Sequence, residues 1–116
     1  MAAVLVDSDV FIDHLRGAHM FHPRQDRVSY SVITRSELFA GRGSDEVAVN
    51  RLLGAFTEIP VEREVAERAG RLRRSTGMRI PDALIAATAL ERGLTLVTRN
   101  VGDFAGVRSL RIREPR

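Results

Sequence analysis

Val4-Leu5-Val6-Asp7-Ser8-Asp9-Val10-Phe11-Ile12-Asp13 decides how the rest of the chain is read. Ala3 to Val6 is apolar without alternation, as a strand covered on both faces should be. Asp7-Ser8-Asp9 breaks that run, and Asp9 to Arg16 then has the pattern of a short helix stopped by Gly17. Strand, acid, helix is the first half of a βαβ unit, and similar successions follow. Ala18 to Arg27, with Pro23, is polar and irregular. Val28 to Ser31 predicts a second strand and Val32 to Ala40 a helix ended by Gly41. Ser44 is expected to cap a helix whose Val49, Leu52, Leu53 and Phe56 share a face. Thr57 to Pro60 predicts a third strand. Glu62 to Ser75 predicts an amphipathic helix with Val65, Ala69 and Leu72 inward. Pro81 opens a helix from Asp82 to Arg92, before Gly93. Leu94 to Thr98 predicts a fourth strand, and Leu110 to Ile112 a fifth at the edge. The result is an α/β fold: helices around a mostly parallel central sheet of four to five strands, in one domain over 1–116.

Composition narrows the chemistry. Hydrophobic residues make up 44% and charged residues 28%, enough apolar material for a core in a chain of ordinary globular balance. No apolar run approaches a membrane span, and the N-terminus lacks a basic segment followed by a long apolar stretch. A cytoplasmic protein is expected. Cysteine is absent, which excludes disulfides and thiolate chemistry. All 18 basic residues are arginine. Mechanisms that hold a phosphoryl group with lysine therefore fall, among them the haloacid dehalogenase and receiver-domain classes, which also pair a strand with acids. The formal net charge of +3 suits a polyanionic partner without requiring one.

Asp7, Glu37, Asp82 and Asp103 form the candidate site. Each has an ordinary account. Ser8 or Asp9 can cap the first helix; for Asp9 a cap is favoured over the alternative that it adds negative charge to the site. Thr34-x-x-Glu37 matches a capping box. Asp82 suits the first turn of a helix dipole, and Asp103 can open a turn before Gly106. Together they suggest more. All four are expected at one edge of the sheet, at strand-to-helix junctions, where α/β folds bind ligands. Asp82 leads a helix that is otherwise almost wholly apolar, Ala83 to Leu90. Carboxylates gathered there repel one another unless a cation lies among them, and Mg²⁺ or Mn²⁺ suits an all-oxygen site.

Other polar clusters are weaker. His14, His19 and His22 lack zinc-site spacing and read as a polar loop, the alternative being that they line a substrate groove. Arg71, Arg73, Arg74 and Arg79 form the densest basic stretch, with Arg99 nearby. Arg73, Arg74, Arg79 and Arg99 are candidate phosphate contacts. The ordinary account is a solvated helix face with Glu64–Arg68 and Glu67–Arg71 pairs. Aromatic residues for base stacking are scarce.

Four segments together resemble PIN-domain nucleases, over nearly the whole chain: Val4 to Asp13, Ser31-Val32-Ile33-Thr34-Arg35-Ser36-Glu37-Leu38, Pro81 to Ala89, and Leu96-Val97-Thr98-Arg99-Asn100-Val101-Gly102-Asp103-Phe104. The resemblance is greatest to the VapC toxin branch of small single PIN domains. It implies a PIN-like three-layer α/β/α sandwich. It implies Asp7 and Asp82 as principal metal ligands, with Glu37 and Asp103 completing the acidic pocket. Asn100 stands where some relatives carry an acid, so the fourth position is Asn100 or Asp103, and Thr98 orients a ligand or water. Asp9 sits where asparagine or a small polar residue is usual, and Gly17 to Arg27 is short for the family. The implied activity is Mg²⁺-dependent endoribonuclease, as the toxin of a type II VapBC-like system, leaving a 5′-phosphate and a 3′-hydroxyl. Implied partners are RNA, a VapB-like antitoxin and a second copy of the chain. The alternative is a catalytically inactive PIN-fold module that binds RNA or protein; acids at all four motifs argue against it.

Overall fold

In the computed structural model, which describes residues 1–116, strands β1 (Ala3–Val6), β2 (Arg27–Ser31), β3 (Thr57–Ile59), β4 (Thr95–Val97) and β5 (Ile112–Arg113) form one sheet. All neighbouring pairs are parallel, in the order β3-β2-β1-β4-β5. The chain builds outward from β1 to β3, then crosses back to lay β4 on the other side of β1. The strand order therefore reverses between β1 and β4, and a crevice opens there beyond the strand ends. Val6 is in register with Val97, and the Asp7 N–H donates to the Val97 carbonyl at 2.9 Å.

Six helices cover the two faces: α1 (Ser8–Leu15), α2 (Val32–Phe39), α3 (Glu46–Leu53), α4 (Arg63–Thr76), α5 (Ile80–Arg92) and α6 (Val101–Phe104). Strand alternation assigns the layers. Val4 and Val6 pack with Val10 and Phe11 of α1, Leu38 of α2, and Val49 and Leu53 of α3. Leu5 and Leu96 point the other way, onto Ile85, Ala86 and Ala89 of α5 and Phe104 of α6. Behind α5, Ala83 and Ala87 meet Val65 and Ala69 of α4. This is the expected three-layer sandwich, and β1 is apolar throughout because both of its faces are covered. No helix is long and apolar enough to cross a membrane.

Several local expectations need correction. Asp45, not Ser44, caps α3: its Oδ1 accepts from the Ala48 N–H at 3.1 Å, while Ser44 Oγ donates to the Leu38 carbonyl. The Thr34-x-x-Glu37 capping box does not form, because Ser31 caps α2 through the Ile33 N–H. Arg68 pairs with Glu91 rather than Glu64, since α4 packs against α5 and α5 offers that acid across the contact; Arg71 has no acidic partner. The last strand lies at Ile112–Arg113, where pairing with β4 sets it, and α6 was not expected. The irregular Ala18–Asp26 segment is held by particular contacts. His14 Nδ1 accepts from the Phe21 N–H at 2.9 Å, and Phe21 packs edge-on against Phe11. Arg113 closes on Asp26 at 2.6 Å.

Candidate active site

Asp7 follows the last residue of β1 and caps α1, the role expected of Ser8 or Asp9. Its Oδ1 accepts from the Ser8 N–H at 2.8 Å, and its Oδ2 accepts from the Thr98 hydroxyl at 2.8 Å. The Thr98 hydroxyl in turn accepts from the Asn100 N–H at 3.0 Å. Thr98 is fully buried just beyond β4, so the residue after the strand in one βα unit orients the carboxylate of its neighbour. Asp7 is only 6% exposed. Burial, with the charges of Asp9 and Asp82 adding to it, pushes its pKa up to about 7 despite the bonds from Thr98 and Ser8.

Asp9 lies in the first turn of α1 and ties that helix to the turn after β4. Its Oδ2 accepts from the Arg99 N–H at 3.0 Å. Its Oδ1 is buried with no hydrogen-bond partner, an uncompensated oxygen two residues from Asp7. Burial raises the Asp9 pKa as well.

Glu37 sits in the last turn of α2, not at a strand-to-helix junction. Ser8 Oγ lies 2.5 Å from Glu37 Oε1 and donates to it, and 2.9 Å from Thr34 Oγ1. Ser8 therefore joins the candidate site through Glu37, a contact that the sequence did not show. The residue is small, polar and buried, and its use appears only once α1 and α2 are packed together. Asp82 is not at a strand-to-helix junction either: α5 follows α4, in the succession of helices the sequence predicts, so it begins at a helix–helix turn. That turn swings through Gly77 at φ 75°, a left-handed conformation suited to glycine. Burial raises the Asp82 pKa, Arg79 opposes this, and the charge of Asp103 adds to the rise. Asp103 is exposed on α6. Asn100 is exposed at the start of α6, and its side chain makes no capping bond.

The structure thus strings Asp9, Asp7, Asp82 and Asp103 along the edge, each acting electrostatically on the next, with Glu37 joined through Ser8. No three of these groups form a ready-made metal cage. The donor set nevertheless suits Mg²⁺, which takes one or two carboxylates and completes its shell with water and substrate oxygens. Asp7 retains a free lone pair on each oxygen. Among the arginines, Arg99 Nε lies 2.9 Å from Asp13, and Arg73 Nε donates to the Met78 carbonyl. Arg79 stands near Asp82, and Arg74 is exposed at the end of α4. His19 and His22 are exposed, while His14 serves the loop described above.

A PIN domain family model matches residues 4–109. Ribonuclease VapC10 of Mycobacterium tuberculosis is 41% identical over 113 aligned positions, 87% of this chain and 85% of that protein. A toxin–antitoxin complex from Klebsiella pneumoniae contains a chain that superposes with a TM-score of 0.82 at 31% identity, covering 97% of this chain and 98% of that one. DNA-bound VapBC from Salmonella typhimurium gives a TM-score of 0.83 at 20% identity, covering 98% of each, a likeness of fold.

Proposed function

This chain belongs to the PIN-domain family, and from that premise we propose that it is a metal-dependent endoribonuclease, the toxin of a VapBC-like toxin–antitoxin pair. One observation carries the reading: Asp7, buried and fixed by the Ser8 N–H and the Thr98 hydroxyl, stands within reach of the Asp82 charge at the point where the strand order reverses. A fold gains nothing structural from repulsion at that place. Asp7 and Asp82 would hold Mg²⁺, or Mn²⁺ in its stead. Bound there, the ion would make water a better nucleophile and neutralise charge on the phosphate and the departing oxygen.

The chain's own groups do the rest. Thr98 and the Ser8 N–H fix the Asp7 carboxylate before substrate arrives, so little reorganisation remains. Ser8 steadies one oxygen of Glu37 and leaves the other to take a proton from the attacking water. Water attacks phosphorus, the P–O3′ bond breaks, and a proton returns to the 3′ oxygen, giving a 5′-phosphate and a 3′-hydroxyl. Asp103, whose charge reaches Asp82, takes the fourth acidic position in preference to the uncharged Asn100. Arg73, Arg74 and Arg79 remain phosphate contacts in this reading, and Arg99 serves chiefly to brace α1 through Asp13.

A VapB-like antitoxin and a second copy of the chain are the proposed protein partners, with a cytoplasmic location. Exposed apolar side chains such as Val47 at 66% and Ile80 at 54% support such contacts. The test uses protein freed of any antitoxin. It should cleave RNA with Mg²⁺ or Mn²⁺ and stop with chelator. Asp7→Ala and Asp82→Ala should each lose more than about a hundredfold in rate. RNA that is bound but never cut would favour the inactive module, and cleavage indifferent to both substitutions would remove these residues from the site.

A further inference from the structure

A groove of about 600 Å³ runs between the C-terminal half of α4 and the segment joining α6 to β5. Arg68, Arg71 and Arg108 line it with Ser75, Thr76 and Ser109, and no acidic residue does. Arg68 is held by Glu91 at 2.5 Å. Arg71 and Arg108 are exposed and form no ion pair, although Glu67 lies one helical turn before Arg71. Two uncompensated guanidinium groups therefore face one concavity.

The groove also has a direction. One wall, α4, ends at Thr76, just before the turn into α5 and Asp82. The other wall begins at Gly106, just after the α6 helix that carries Asp103. Both walls thus lead away from the acidic row. The lining has two apolar residues, Leu72 and Leu90, and no aromatic ring on which a base could stack. A second copy of the chain docked here about a two-fold axis would set these arginines near one another.

We propose that this groove carries the phosphate backbone of RNA flanking the cleaved bond, with Arg71 and Arg108 each meeting a phosphate. The proposal rests on the nuclease reading above. The groove contributes affinity without sequence preference, because it offers charge and no base-reading surface. Arg71 and Arg108 touch neither the acids nor the metal position, so they act on binding rather than on the chemical step.

The experiment measures RNA binding by Asp7→Asn protein, which cannot cut, as a function of salt. Adding Arg71→Gln and Arg108→Gln should lower the slope of log affinity against log salt by about 0.7 for each charge removed. Affinity for an RNA of some tens of nucleotides should fall roughly tenfold at physiological salt. An oligonucleotide spanning only the cut bond should bind as before. In the active chain, kcat/KM should fall on the long RNA and stay constant on the short one. A control pair on other faces, Arg51→Gln with Arg63→Gln, should leave the slope in place. An unchanged slope in protein that still cuts RNA overturns the groove and spares the nuclease. A lowered slope in wild-type-background protein that cuts nothing supports the groove and fails the nuclease. If RNA binding is unchanged but binding of an acidic protein partner is lost, the groove belongs to that partner and the proposal is overturned.

Discussion

Asp7 is asked to be a helix cap, a hydrogen-bond acceptor and a charge in a buried place, and these demands pull its ionisation in opposite directions. Burial and the neighbouring acids disfavour the carboxylate; the Ser8 and Thr98 bonds favour it, and lose. The consequence for stability has a definite sign. Unfolded, the group titrates near 3.8; folded, near 7. Between those values the folded chain binds the extra proton, so the contribution of Asp7 to stability is full below about 4 and is lost as pH rises through about 7. Asp7→Asn removes the charge and keeps an oxygen for the Ser8 N–H and an amide that can donate to the Thr98 oxygen. Metal-free Asp7→Asn protein should therefore be more stable than wild type at pH 8, by roughly 1–3 kcal/mol. The difference should narrow steadily as pH falls from 7 towards 4. Thermal unfolding in chelator across that range measures it, and equal midpoints at pH 8 would show that Asp7 is not strained by its setting.

Helix α5 shows what patterning can and cannot reveal at the scale of an element. Ala83, Ala86, Ala87 and Ala89 are all wholly buried, which lets α5 lie close to the sheet on one side and to α4 on the other. That closeness aims its first turn, and Asp82, at the edge. Ala87→Leu adds three carbons where Val65 and Ala69 already touch, and should destabilise by about 1–3 kcal/mol in a denaturant titration. Ala66→Leu, on the exposed side of α4, should change little. If Ala87→Leu were neutral, the α4–α5 contact would be looser than its packing indicates. The apolar run of α5 was plain in the sequence, as were β1 and the helix start at Pro81, because burial on both faces leaves an unbroken run; the cap of α1 was not, since Asp7 takes the place expected of Ser8 or Asp9. The strand of two residues and the helix of four, β5 and α6, carry too few residues to show a period and take their places from neighbours. Ser44 and Asp45 are both competent caps, so composition could not separate them. Glu37 matched a local capping pattern, but its real partner, Ser8, lies 29 positions away. The places of Asp7 and Thr98 at the sheet edge, the order of motifs and the helix preceding the Asp82 helix were legible; the link through Ser8 was not, since it depends on packing between elements.

Across the whole molecule, strand order converts a linear list of acids into one site. Residues 91 positions apart, Asp7 and Thr98, become hydrogen-bonded neighbours only because the chain returns past β3 and sets β4 beside β1. The carboxylates then stand closer in the folded state than in the unfolded one, so folding opposes their charge and a cation bound among them should oppose unfolding. A ligand that binds only the native state stabilises by RT ln(1 + [L]/Kd), about 2.7 kcal/mol at a concentration one hundred times Kd. For a domain of this size that is roughly 8–16 °C in Tm. Mn²⁺ or Mg²⁺ at saturating concentration should therefore raise Tm at pH 8, and chelator should reverse it. The gain should shrink below pH 7, where protons compete for Asp7, because an ion needs the carboxylate and the folded chain alone prefers the acid. Asp7→Asn protein, already relieved of the charge, should respond far less. A Tm that ignores both metals at pH 8, in protein that still cuts RNA and stops with chelator, would place the ion on the enzyme–RNA complex rather than on the free fold. The acids would then be a surface completed by the phosphate of the substrate.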